Sequence, residues 1–154
     1  MENKKLTIET ISKENEKAKE TVKITLSNGD YLNIRPVLSR EDLENIISSY
    51  ADFLTDKEVK EIVKKKELVV FLNCFVILNN SDLLENSSIV SNTDKLKYCT
   101  LLFNNPVIFN EIMEKFDISS IELIVKKFNE IMKIAKKIEE INSKRKNKNK
   151  KWLY

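Results

Sequence analysis

The sequence predicts a mainly α protein in which a short N-terminal β-hairpin leads into a bundle of about five helices. Three observations carry this reading. Val22, Ile24 and Leu26 alternate with polar residues, and after Ser27-Asn28-Gly29-Asp30 the alternation resumes at Leu32 and Ile34. Beyond Pro36, apolar residues recur at spacings of three and four, the period of a helix face. Cap and breaker signals, namely Ser39 with Asp42, Thr55 with Glu58, Pro106, and Ser119 with Glu122, cut the remainder into helix-sized pieces.

Residues 1–20, rich in Lys, Glu and Asn, read as a mobile arm, or at most a frayed helix through Glu9 to Lys19. A single α-rich domain follows over 21–142. In the hairpin, a two-residue Asn-Gly loop would put Leu32 on the opposite face from Ile24. A three-residue loop of Ser27, Asn28 and Gly29, with Gly29 left-handed in a bulge, pairs Ile24 with Leu32 and Val22 with Ile34, and is the register expected. Its apolar face must pack on helices or join a partner's sheet, because an isolated hairpin is marginal in water.

Ser39 opens a helix carrying Leu43, Ile46, Ile47, Tyr50 and Leu54, and Thr55 opens a second through Val59, Ile62 and Val63. Leu68 to Leu78 reads as a buried helix, with strand as the competitor because of its Val, Phe and Ile content. Residues 79–92 are polar and are expected to form a loop. Helices are then expected from about Thr93 to Phe103 and, with Pro106 in the first turn, from Val107 to Phe116.

The last helix carries the clearest pattern: Ile121, Ile124, Val125, Phe128, Ile131, Met132, Ala135, Ile138 and Ile141, with Lys126, Lys127, Lys133, Lys136 and Lys137 mostly opposite. Such a stripe serves either a core or a helix–helix contact with another chain. Ile121, Ile124, Phe128, Ile131, Ala135 and Ile138 are therefore candidate partner-binding residues. A basic tail, 143–154, follows. Lys144, Arg145, Lys146, Lys148, Lys150 and Lys151 are six of the 27 cations and have no acid among them, so the residues before Lys144 hold 21 cations against 24 acids, a net −3. With Trp152 and Tyr154 beside Leu153, the tail reads either as a solvated terminus or as a contact for phosphates or an acidic protein surface.

Composition argues against catalysis. The 154 residues include no His, which removes Ser-His and Cys-His triads, His-based zinc sites and the commonest acid/base at neutral pH. A single Gly removes the glycine-rich phosphate loops. No catalytic residue, cofactor or metal ligand is assigned. Adjacent acids such as Glu41/Asp42 and Glu139/Glu140 point to different helix faces and read as solubilising charges. Asp82, Glu85 and Asp94 lack calcium-loop spacing. Cys74 and Cys99, 25 residues apart in apolar segments, fit two buried thiols in a reducing cytoplasm. Met1 to Glu20 has no apolar run of the kind a secretory signal needs, and Leu68 to Leu78 is too short to span a bilayer, so no membrane association is expected.

The order of elements, with "NIRPVLSREDLENIISSYADFL" entering a helix, a central apolar helix, and "LLFNNPVIFNEIMEKFDISSIELIVKKFNEIMKIAKKI", resembles small proteins encoded among the head and tail morphogenesis genes of tailed bacteriophages. The resemblance spans roughly residues 22 to 141 and implies a virion component or assembly factor, such as a tail-assembly chaperone. Its implied partners are other phage structural proteins or further copies of the chain, in the virion or the host cytoplasm. The alternative is a small nucleic-acid-binding protein or regulator acting through the basic tail.

Overall fold

A computed structural model describes residues 3–84 and 91–152, with the side chains of the last helix described as far as Lys148. The chain is mainly α. Helix α1 (Ile8–Lys17) precedes a two-stranded antiparallel hairpin, β1 (Val22–Thr25) and β2 (Tyr31–Ile34). There follow α2 (Arg40–Thr55), α3 (Lys57–Ile62), a 3₁₀ turn at Lys65–Glu67, α4 (Leu68–Asn79), α5 (Asn92–Phe103), α6 (Pro106–Met113) and α7 (Ile118–Trp152). Six α-helices thus follow the hairpin among the described residues, where about five were expected.

The hairpin adopts the three-residue loop. Val22 pairs with Ile34 and Ile24 with Leu32. Leu26 N–H donates to Asp30 C=O at 2.8 Å, and Gly29 sits at φ +92°, a conformation that strains any residue with a Cβ. The apolar face is completed within the chain, because Ile24, Leu32 and Ile34 lie in the helical core. The outer edge of β2 is covered too: Arg35 N–H donates to Asn80 C=O at 2.8 Å and Asp82 N–H to Asn33 C=O at 3.1 Å. Part of the segment expected as loop therefore serves as an edge cover. Residues 85–90 of that loop, Glu85 among them, lie outside the described residues.

Helix starts follow side-chain acceptors, which satisfy amides that have no partner inside the first turn. Ser39 and Asp42 form a reciprocal capping box at α2. The expected Thr55 cap is displaced by one residue. Thr55 Oγ turns back to the Asp52 carbonyl at 2.7 Å, and Asp56 caps α3 by accepting from Glu58 N–H at 2.9 Å. At α7 the cap is Asp117, not Ser119, since the Asp117 carboxylate accepts from Ser120 N–H at 3.0 Å. Asn105 caps α6, with Pro106 in its first turn. That helix stops at Met113, and Phe116 is buried from the turn that follows it.

The core lies between α2, α4, α5 and the base of α7, backed by the hairpin. Residues 68–78 are helical, which decides against the strand. With Phe71, Leu72, Cys74, Phe75, Val76 and Ile77 all buried, α4 needs no polar face. Tyr50 and Phe53 of α2 meet Phe75 of α4, with the Tyr50–Phe75 and Phe53–Phe75 ring centroids 4.9 and 4.8 Å apart. Tyr50 donates its hydroxyl to the Leu68 carbonyl, and burial raises its pKa well above that of an ordinary tyrosine.

Asp42 is corrected from a solubilising charge to a buried anchor. It is 4% exposed and ion-paired with Arg35 at 3.1 Å, and it also accepts from Asn80 Nδ2 at 3.1 Å and Ser39 N–H at 3.0 Å. This cluster ties the strand exit, the start of α2 and the end of α4 into one joint.

Candidate functional site

The site follows from how α7 is held. Its first turns are fixed at several points: Asp117 N–H donates to the Pro36 carbonyl at 2.9 Å, and Leu38 N–H donates to Ser120 Oγ at 3.1 Å. Ile124 is fully buried, and Phe128, 5% exposed, sets its ring 5.2 Å from that of Tyr50. There the burial stops. Every residue from Asn129 to Lys148 is exposed, although the helix continues unbroken to Trp152. At 1.5 Å per residue, about 35 Å of helix extends beyond the last core contact.

The apolar stripe is thereby divided. Of the six helix residues expected at a partner surface, Ile124 and Phe128 are instead part of this chain's own core, and Ile121 is half-buried against it. Ile131, Ala135 and Ile138 remain exposed. Two further isoleucines join them. Ile131, Ile134, Ile138 and Ile141 are 43–58% exposed and follow spacings of three, four and three, the alternation of heptad a and d positions. That is the pattern of a coiled-coil seam, in which each turn sets one residue against a neighbouring helix. Ile134 falls off the line through Ile121, Ile124 and Phe128: a heptad continued from those residues passes through Ile131, Ala135 and Ile138, and only a register begun afresh at Ile131 reaches Ile134 and Ile141.

Where the seam meets the body it opens into a groove between α2 and α7 of about 700 Å³, lined by Leu43, Ile47, Leu123 and Ile131, with Arg40, Glu44, Lys127 and Glu130 also lining it. At the far end, Lys144, Arg145 and Lys148 surround Ile141. Lys146 is exposed on the same helix. The side chains of Lys150, Lys151 and Trp152, and all of Tyr154, lie outside the described residues. The basic segment is thus a continuation of α7, and its described cations share the helix that carries the seam.

Elsewhere the polar groups serve the fold. Asp82 accepts from the Asn33 side chain at 2.8 Å and backbone N–H at 3.0 Å, and these bonds hold its carboxyl below the usual range. Glu111 is lowered in the same way by Ser27 at the hairpin turn, whose backbone N–H lies 3.0 Å from it. Cys74 and Cys99 are free and buried, and hydrogen bonding with Cys74, followed by burial, pushes the Cys99 thiol far up. No three Cys, Asp or Glu side chains gather as a metal would require, and no helix is long and apolar enough to cross a membrane, among the described residues. No family model, curated protein or solved structure matches the chain.

Proposed function

We propose that the protein is a non-enzymatic assembly or structural protein that works through protein–protein contacts, with α7 as its binding arm. A single observation carries this: a helix anchored by Ile124 and Phe128 continues well past the core with a row of uncovered isoleucines. An exposed apolar row loses free energy to water at roughly 25 cal/mol per Å² relative to burial, so it favours a helical partner. The resemblance to small phage morphogenesis proteins supports the same reading and makes virion components the partner class to test first.

The clustered cations at Lys144, Arg145, Lys146 and Lys148 favour a second reading, in which the end of α7 lies on nucleic-acid phosphates. One experiment separates the two. A photo-crosslinking residue is placed at position 138 and activated in the cell that makes the protein. Protein adducts at that position support the assembly reading, whereas adducts to nucleic acid alone overturn it.

A further inference from the structure

Building on the protein-contact reading, we propose that the partner of the seam is a second copy of this chain, bound antiparallel along α7. The seam requires another helix with apolar residues at 3.5-residue spacing, and each copy carries one. Orientation follows from charge. A parallel pair would set Lys144, Arg145, Lys146 and Lys148 beside the same cations of the second copy, with no acid within that stretch to offset them. An antiparallel pair separates the two basic ends and lays each toward the other's body, which carries the net −3.

The register is set by aligning the isoleucines. Ile131 packs against Ile141 of the second copy and Ile134 against its Ile138, with Ala135 meeting its own counterpart near the twofold axis. Glu130 then flanks Lys144 of the second copy, and the pair occurs twice by symmetry. Beyond Ile141, the second copy's basic end continues along the groove lined by Leu43, Ile47 and Leu123, whose own charges balance, Glu44 being ion-paired with Arg40 at 3.2 Å and Glu130 standing with Lys127, so the orientation rests on keeping the two basic ends apart. The same alignment sets Lys137 beside Lys137 at the edge of the seam and Lys127 opposite Arg145 of the second copy where the seam reaches the body, both of them unfavourable pairs.

The test uses the full chain. Sedimentation equilibrium is expected to show a monomer–dimer equilibrium that Ile134→Asp abolishes. Glu130→Lys and Lys144→Glu each weaken the dimer about tenfold, their combination restores it, and Lys137→Ala tightens it. In disulfide trapping, a mixture of Ile134→Cys and Ile138→Cys chains crosslinks as the 134–138 pair, while each chain alone does not. Buried Cys74 and Cys99 do not compete. Self-crosslinking of each single-cysteine chain signifies a parallel pair and overturns the proposal. A monomer at all concentrations also overturns it. If that monomer still photo-crosslinks to other proteins from position 138, the protein-contact reading survives while the second copy is excluded as the partner.

Discussion

Phe128 and Ile138 lie on the same helix, ten residues apart, and the structure assigns them opposite roles. Phe128 is 5% exposed, with its ring 5.2 Å from that of Tyr50, so Phe128→Ala removes a full aromatic side chain and one ring–ring contact. Core Phe→Ala changes cost about 3–5 kcal/mol, and the ring pair places this one near the middle, at about 4 kcal/mol. Ile138 is 53% exposed and has no core neighbour, so Ile138→Ala is expected to stay within about 0.5 kcal/mol, helped by alanine's helix propensity. Urea denaturation followed by circular dichroism at low protein concentration reads both. The expected midpoint falls by about 2 M for Phe128→Ala and hardly moves for Ile138→Ala. Should Phe128→Ala not fold, Phe128→Leu gives a smaller loss, of about 1–2 kcal/mol, in the same direction. Equal losses at positions 128 and 138 in dilute protein would refute the division of α7, because they would place Ile138 in the core of the monomer.

Other outcomes follow from the same structure. Asp42→Ala removes the partner of Arg35, Asn80 and the Ser39 amide together. Because Arg35 keeps 36% of its side chain in water, the loss is expected at about 3 kcal/mol, toward the low end for a broken buried pair, read as a drop in thermal midpoint. The Asp82 and Glu111 carboxyls, lowered by Asn33 and Ser27, contribute stability above the unfolded carboxylate pKa of about 4 that is lost as pH falls through their folded values. Asp82→Asn is therefore expected to flatten the acid limb of a stability–pH profile and to lower stability near neutrality. Cys74 and Cys99 are expected to resist a thiol reagent in the native protein and to react together on unfolding, and rapid native modification would contradict their burial.

Much of the fold was readable in the sequence where local chemistry decides it. The hairpin register followed from keeping Ile24 and Leu32 on one face, and Gly29 was the residue able to hold the left-handed position. The Ser39 box and the Pro106 start were equally local. Elsewhere neighbouring side chains competed. Thr55 and Ser119 have the chemistry of caps, but Asp56 and Asp117, adjacent or nearby, supply carboxylates that win the amides. Asp42 looked like a surface acid because its partners, Arg35 and Asn80, come from other elements. The site was legible as a stripe but not as two halves. Where the core ends along α7 depends on Tyr50 reaching Phe128, and nothing in the spacing of the isoleucines encodes that contact.

Residue-resolved hydrogen exchange along α7 in dilute protein reads out directly where the helix leaves the core. Strong protection is expected from Ile121 through Phe128, where the helix is locked to the core, and weak protection beyond Ile131, where only the helix's own hydrogen bonds oppose exchange. Protection that persists undiminished through Ile141 in the dilute monomer would mean that the seam is already covered by this chain and that α7 is not a free binding arm.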